Sequence, residues 1–172
     1  MRHIKFSDFL DDLYVYPEYT NLTLNDYLKL SDNKSIIGGL RQGDFINTVL
    51  VKNGQLLDTR SKVTPTSSEI NDGVKPGDQI RTFAWDDYTI LPIICFEICF
   101  PELYYNISDK VDLITHHVGF PMFNQHQYTA WNALQKAVCE HFHAPIVSVC
   151  GGPSTKLNIT QVIRPVEIEK WI

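Results

Sequence analysis

The feature that most constrains the fold is an alternation of strand and helix patterns across residues 88–150. A buried strand is predicted in "YTILPIICF", then a helix with an early proline in "FPELYYNIS", a strand in "VDLITHHV", a helix over 127–142 and a strand in "APIVSVCGG". The helix over 127–142 is indicated by apolar residues at helical spacing, namely Tyr128, Trp131, Leu134, Val138 and Phe142. Strands that alternate with helices predict an α/β fold with parallel strands joined by crossovers.

The first half of the chain predicts hairpins instead. "SIIGGL", "FINTVLV" and "QLLDTRS" have strand patterns, and Asn53-Gly54 between the second and third favours a tight turn. A second hairpin is expected to turn at Asp86-Asp87, while residues 64–79 are predicted to be a polar loop.

The segments before these hairpins give weaker patterns. Residues 7–13 have a capping serine and a short helical spacing, and residues 14–19 resemble a strand that ends at Pro17. Residues 21–30 fit a helix or a turn.

Length and charge restrict the classes of protein. A chain of 172 residues with 44% hydrophobic residues can build one core, so residues 1–172 are expected to form a single domain. The net charge of -5 and the absence of a basic run argue against nucleic acid or an anionic membrane as a partner. No apolar stretch approaches the roughly 20 residues of a membrane span, and "RHIKFSDFLDD" lacks the centre of a signal peptide. A cytoplasmic location is therefore expected.

The chain has four cysteines, Cys95, Cys99, Cys139 and Cys150. In a reducing compartment free thiols are expected rather than disulfides. Cys95 and Cys99 with scattered histidines match a zinc site only weakly, and their spacing is one residue longer than the C-x-x-C motif of redox proteins. No metal and no cofactor are predicted.

Cys95 is the candidate nucleophile. It lies between a buried strand and the expected start of a helix, where reactive groups gather in α/β sheets. Backbone N–H groups and the positive end of a helix dipole favour a thiolate there. The alternative, that Cys95 is a small apolar residue at the end of a strand, stays equally open from position alone.

Three segments carry a resemblance to a known family. "LYVYPEY", "TRSKVTPTSSE" and "IICFEICFPEL", in that order, resemble the signature segments of the nitrilase (carbon-nitrogen hydrolase) superfamily, which includes the apolipoprotein N-acyltransferases. The third match is the most specific, since the cysteine is followed by an aromatic residue, an acid, two residues and Phe-Pro-Glu. The resemblance spans about residues 12 to 152. It implies a four-layer α-β-β-α sandwich of the nitrilase type, truncated at both ends, and a homo-oligomer.

The resemblance implies a catalytic triad of Glu18, Lys62 and Cys95. The expected activity is cysteine-dependent hydrolysis or acyl transfer at a carbon-nitrogen bond of a small amide, through a thioester. Glu18 would accept the thiol proton, and Lys62 would stabilise first the thiolate and then the oxyanion, together with the backbone N–H of Phe96.

The family also suggests roles for further residues. Glu69 is expected to orient Lys62 or to assist proton transfer, and Glu97 to support the nucleophile turn or simply to form a structural ion pair. His116 and His117 end a strand that usually lines the substrate pocket in the family, although buried histidines with satisfied hydrogen bonds are equally compatible with the sequence. Apart from the resemblance, the aromatic residues Tyr16, Tyr19, Phe120 and Phe123 are compatible with an apolar acyl pocket and equally with ordinary core packing.

Some family positions differ. Tyr104-Tyr105 stand where an arginine is common, Val138 replaces another arginine, and Cys150 replaces an asparagine. The missing arginines and the truncated ends favour an alternative function, a nitrilase-like protein that binds a metabolite or partner without turnover. Gln125-His126 is locally similar to the N-acyltransferase branch, but the absence of a membrane span argues against acylation of lipoproteins.

Overall fold

Two five-stranded sheets form the centre of the protein in the computed structural model, which describes residues 2–9 and 11–166. The first sheet has the order β1-β2-β3-β4-β5, and the second has the order β10-β9-β8-β7-β6. The strands are β1 Ile4–Phe6, β2 Leu13–Val15, β3 Ser35–Gln42, β4 Phe45–Lys52, β5 Gln55–Ser61, β6 Phe83–Trp85, β7 Tyr88–Ile94, β8 Leu113–Val118, β9 Ile146–Cys150 and β10 Gln161–Ile163. The helices are α1 Leu24–Leu30, α2 Ser67–Asn71 and α3 Gln125–Phe142, with 3-10 turns at Cys95–Cys99 and Pro101–Leu103.

The first sheet confirms the three predicted strands and their hairpin. β3, β4 and β5 pair antiparallel in sequence order, and β2 joins β3 in parallel. Asn53 and Gly54 both have positive φ, 49° and 74°. This is the backbone that a tight hairpin turn needs and that asparagine and glycine adopt most readily.

The second sheet confirms the predicted parallel strands, although only the second of the two expected connecting helices forms. β7, β8 and β9 are parallel neighbours, and α3 connects β8 to β9. β6 and β10 add antiparallel edges, and the β6–β7 hairpin turns at Asp86-Asp87 as expected.

Apolar side chains hold the two sheets together face to face. Leu13, Val15, Ile37 and Leu50 of the first sheet pack against Phe83, Trp85, Ile90, Leu113, Val147 and Val149 of the second. Outside the second sheet, Trp131 and Val138 of α3 join a separate core cluster, and outside the first sheet Tyr27 of α1 packs on Ile36 and Val49. The layers are therefore helix, sheet, sheet and helix, which confirms the predicted four-layer sandwich.

Several local predictions are wrong. Residues 7–13 form no helix where they are described, because Leu13 already begins β2, and "FPELYYNIS" forms only a 3-10 turn. The predicted loop 64–79 contains α2, which Thr66 caps while Glu69 bonds back to the Thr66 N–H. The edge strands β1 and β10 were not predicted, because short edge strands carry little pattern of their own.

All four cysteines are unpaired. Among the helices of the described residues, none combines the length and the apolar character needed to cross a bilayer.

Candidate active site

Three chain segments meet at the carboxyl ends of β2, β5 and β7. Glu18 follows β2, Lys62 follows β5, and Cys95 follows β7. The approach of the first segment depends on Gly39 of β3, whose N–H donates to Pro17 O at 3.0 Å. A Cβ at Gly39 would lie 1.8 Å from Glu18 O, so only glycine lets the backbone of Glu18 come this close.

Lys62 is the centre of the cluster and is fully buried. Its Nζ lies 2.6 Å from Glu18 Oε1 and 2.8 Å from both carboxylate oxygens of Glu69. Helix α2 positions Glu69, because Thr66 N–H donates to Glu69 Oε2 at 2.7 Å. The structure thus brings together Glu18, Lys62 and Glu69.

Cys95 lies in a tight turn next to these groups. Its φ of 48° is in the left-handed region, which is uncommon for a residue with a side chain. Glu18 Oε2 is buried without a hydrogen-bond partner among the described residues, while the Cys95 thiol is near enough for the two groups to shift each other's pKa. The backbone of Gly119 borders both groups, since it lowers the pKa of Cys95 and a Cβ on it would lie 2.8 Å from Glu18 Oε2.

The protonation of the thiol differs from the sequence expectation. Burial raises the pKa of Cys95 well above its usual value, and the Glu18 carboxylate raises it further, while Lys62 opposes both only in part. This direction favours the neutral thiol and runs against the expectation of a preformed thiolate. A dipole argument from sequence omits the desolvation that dominates here.

The three ionisable neighbours of Cys95 differ in the direction of their pKa shifts: the pKa of Glu18 moves against its charged form, and the pKa values of Lys62 and Glu69 move in favour of theirs. Burial raises the pKa of Glu18 to about 7, although Lys62 counteracts it. Burial also acts on Lys62 and Glu69 against their charged forms. However, the carboxylate of Glu18 raises the pKa of Lys62, and hydrogen bonds from Lys62 and Tyr19 lower the pKa of Glu69. Glu18 is thus the one member of this cluster whose pKa lies near neutral pH.

Glu97 is fully buried and braces the turn that carries Cys95. Its carboxylate accepts hydrogen bonds from the backbone N–H groups of Ile94 and Val63, both at 2.7 Å. It also forms a two-pronged ion pair with Arg60, Nη1 to Oε1 at 2.9 Å and Nη2 to Oε2 at 2.5 Å. One side chain therefore ties the end of β7 to the segment that carries Lys62. Arg60 was not found from the sequence, although it lies two residues before Lys62.

Tyr19 is a second residue that the sequence analysis did not place in this cluster. Its hydroxyl donates to Glu69 Oε1, and its ring lies against Gly119, where a Cβ would be 2.5 Å from Cδ2. Phe120 packs against Tyr19 with ring centroids 5.4 Å apart and ring planes tilted by 40°, and it is 64% exposed. The position of Tyr19 directly after Glu18 was the available signal.

The expected acyl pocket does not assemble as a unit. Tyr16 packs with Tyr27 in the cluster under α1, and Phe123 is 92% exposed. Tyr19 and Phe120 are the two members that lie together beside the cluster of ionisable groups.

The two histidines of β8 point to opposite faces of the second sheet and are both fully buried. His116 bonds to Cys95 O at 3.0 Å and to the side chain of Gln135 in α3 at 2.8 Å. His117 bonds to Tyr16 O at 2.7 Å and to Thr115 Oγ1 at 2.9 Å. Burial lowers the pKa of His116 to about 4 and the pKa of His117 to about 3. All four ring nitrogens thus have partners within the protein.

A cleft of about 370 Å³ lies beside the cluster. It is lined by Arg2, Pro17, Tyr19, Thr20, Asn21, Gly151 and Gly152. Pro17 and Tyr19 flank Glu18, and a Cβ at Gly151 would lie 2.5 Å from Gly119 O. A larger cleft of about 590 Å³, between Asp11, Lys34 and Lys52, has none of these residues. In the described part of the chain, no group of three or more histidine, cysteine or acidic side chains has the arrangement to hold a metal ion.

This arrangement of two facing five-stranded sheets with outer helices is shared with solved structures of the CN-hydrolase superfamily. A CN-hydrolase superfamily protein from Xanthomonas campestris, with an arsenic adduct in its active site, superposes with a TM-score of 0.70 at 16% identity, covering 88% of this chain and 69% of that chain. A mutant amidase from Nesterenkonia sp. AN1, with acrylamide added to its active-site cysteine, superposes with a TM-score of 0.70 at 14% identity. The match covers 89% of this chain and 72% of that chain.

The same Nesterenkonia amidase with the acetamide moiety of fluoroacetamide on its cysteine also gives a TM-score of 0.70 at 14% identity, covering 89% of this chain and 69% of that chain. No family model matches the sequence. No curated protein matches it either. At this level of identity the similarity shows that the fold is shared.

Proposed function

We propose that this protein is a member of the carbon-nitrogen hydrolase superfamily that cleaves small amides through a thioester on Cys95. One observation carries the proposal: the ammonium of Lys62 is held between the carboxylates of Glu18 and Glu69, beside the turn that presents Cys95. Three charged groups buried together cost free energy of desolvation, and such clusters are typical of functional sites.

In the proposed first step, Glu18 acts as a general base. A carboxylate with a pKa of about 7 is half ionised near neutral pH, so it can take the proton of the Cys95 thiol as the sulfur attacks the carbonyl carbon. The thiol itself has a raised pKa, and therefore its deprotonation must accompany the attack rather than precede it.

Lys62 stabilises the oxyanion that forms. Its ammonium is already oriented by two carboxylates, so no reorganisation is needed when negative charge develops on the substrate oxygen. The backbone N–H of Phe96 is the second proposed donor, because the first N–H groups of a short helix have no partner within it. Each well-placed donor of this kind lowers the barrier by roughly 3 kcal/mol.

The tetrahedral intermediate then collapses. The carbon-nitrogen bond breaks, Glu18 returns its proton to the departing nitrogen, and a thioester to Cys95 remains. Water attacks the thioester carbon while Glu18 takes its proton, the carbon-sulfur bond breaks, and Glu18 returns the proton to the sulfur, which releases the carboxylic acid and restores the Cys95 thiol. An amine in place of that water would form a new amide, and this is the acyltransferase variant of the same mechanism.

The positions of Tyr19 and Phe120 are an argument that the substrate is small. The Tyr19 ring covers Gly119 next to the thiol, and Phe120 covers Tyr19 from the solvent side. Acrylamide and fluoroacetamide, which modify the cysteine of the Nesterenkonia amidase, are small amides of this kind. In this proposal Glu69 orients Lys62, Glu97 braces the turn, and the buried His116 and His117 do not contact substrate.

The experiment is intact-protein mass spectrometry after incubation with short aliphatic amides and an acid quench; a parallel sample is treated with hydroxylamine, which removes the adduct if it is a thioester. We expect an acyl adduct on Cys95, its loss in Cys95→Ala and its retention in the matched control Cys99→Ala. A folded wild-type protein that forms no adduct and releases no ammonia would refute turnover and favour the binding alternative.

A homo-oligomer is part of the proposal. β5 lies at the edge of the first sheet and exposes Leu56 and Leu57 by 42% and 43%. Apolar side chains on an unpaired edge strand favour association. Size-exclusion chromatography with light scattering is expected to give at least a dimer, and a stable monomer at micromolar concentration would contradict it.

A further inference from the structure

The turn at Cys95 needs a partner that fixes its backbone. A residue other than glycine in the left-handed region persists only where the surrounding structure holds it. The carbonyl of Cys95 is held by His116, whose Nε2 lies 3.0 Å from it. This contact reaches the nucleophile from behind the second sheet, the side that faces α3.

The hydrogen-bond partners of His116 define its tautomer. A backbone carbonyl can only accept, so Nε2 carries the proton, and Nδ1 must then accept. The side-chain amide of Gln135 supplies the donor, since its Nε2 lies 2.8 Å from Nδ1. Burial lowers the pKa of His116 to about 4, so the ring is neutral at pH 7.

Gln135 is itself fixed by a buried network. The same Gln135 Nε2 donates to Ser148 Oγ at 2.9 Å, and Gln135 Oε1 accepts from Gln161 Nε2 at 2.6 Å. Gln161 also donates to Asn132 Oδ1 at 2.9 Å. The reversed amide orientation would place Oε1 against the lone pair of Nδ1 and Nε2 against another donor. Only one arrangement satisfies every member, which is how buried polar networks impose a single geometry.

We propose that His116 is a positioning residue for the nucleophile. Its neutral Nε2–H tautomer, fixed by Gln135, holds the Cys95 carbonyl and thereby keeps the sulfur beside Glu18 and Lys62. The proposal rests on the proposed function only in taking Cys95 as the nucleophile. The proposal gives a role to the hydrogen-bond network that runs from Gln161 of β10 through Gln135 of α3 to His116 of β8. None of these side chains belongs to the cluster of Glu18, Lys62 and Glu69.

The test is the rate of Cys95 alkylation by iodoacetamide across pH, followed by peptide mass spectrometry, with Cys99 as an internal reference. In His116→Leu we expect a loss of roughly 10- to 100-fold in the Cys95 rate, as for a nucleophile displaced by about 1 Å, with an altered pH profile. His116→Gln keeps a donor near the Nε2 position and is expected to recover much of the rate. The exposed His126→Leu is the matched control and should not change it.

A folded His116→Leu protein with the wild-type rate and pH profile would overturn the proposal. If His116→Leu does not fold, Gln135→Leu and ¹⁵N NMR of the labelled wild-type protein decide the question. The chain has six histidines, so the His116 signals can be assigned by substitution. We expect a neutral ring protonated on Nε2 at pH 7, and a ring protonated on Nδ1 or on both nitrogens would refute it. Neither measurement requires turnover of a substrate. A failure of the proposed function can therefore be distinguished from a failure of the proposal for His116.

Discussion

Arg60 and Glu97 face each other in a buried two-pronged ion pair between the segment that carries Lys62 and the turn that carries Cys95. Arg60 also donates to Pro92 O at 2.6 Å. The pair therefore bridges the two sheets at the site itself. Its removal is expected to lower both the stability and the activity of the protein.

Glu97→Ala is expected to destabilise the protein strongly. It would leave the Arg60 guanidinium buried without its partner, which typically costs about 3–5 kcal/mol. Urea denaturation measures the loss in the free energy of unfolding. The matched control is Asp8→Ala, which breaks a two-pronged pair with Arg164 at the surface and should cost less than about 1 kcal/mol. Equal losses in the two variants would contradict the structural role of Glu97.

Glu18→Gln is expected to separate base catalysis from thiol acidity. Loss of the general base should slow thioester formation by roughly 10²- to 10⁴-fold. The pKa of Cys95 should fall at the same time, because the Glu18 charge that raises it is gone while Lys62 remains. Ammonia release gives the rate, and thiolate absorbance across pH gives the pKa. An unchanged rate would exclude Glu18 as the base.

The stability of the wild type relative to Glu18→Gln should depend on pH. The pKa of Glu18 rises from its ordinary value of 4.5 to about 7 on folding. Between these values the folded state holds a proton that the unfolded state has lost, so raising the pH destabilises the folded state. The wild type should therefore lose stability relative to the variant from about pH 4.5 to about pH 7. A difference in the free energy of unfolding that stays constant with pH would contradict the raised pKa.

Gly119→Ala is expected to disturb the site through Tyr19. The added Cβ would lie 2.5 Å from the Tyr19 ring and 2.8 Å from Glu18 Oε2, so the ring or the carboxylate must move. We expect a loss of roughly 10- to 100-fold in acylation rate. A double-mutant cycle with Tyr19→Ala is the check, because the Gly119→Ala loss should shrink when the ring is absent. Additive effects would show that the ring is not responsible.

Local sequence chemistry was sufficient for much of the fold. The Asn53-Gly54 hairpin, the strands on either side of it and helix α3 depend on residues adjacent in the chain or one helical turn apart. The order of three short motifs was also enough to select Glu18, Lys62, Glu69 and Cys95, which the structure brings into one cluster. By contrast, α2 was not predicted, because its capping residues Thr66 and Glu69 lie in a segment whose composition is that of a loop.

The sequence by itself therefore determined the interior strands, helix α3 and the residue types available for chemistry, but not α2 or the edge strands β1 and β10. Tertiary structure alone decided the protonation of the site, since the pKa values of Cys95 and Glu18 depend on burial and on charges brought from other segments. It also decided the faces of His116 and His117, because β8 is buried on both sides and its sequence has no alternation of polar and apolar residues to reveal them. Desolvation and contacts across sheets are properties of the assembled fold, and no local pattern encodes them.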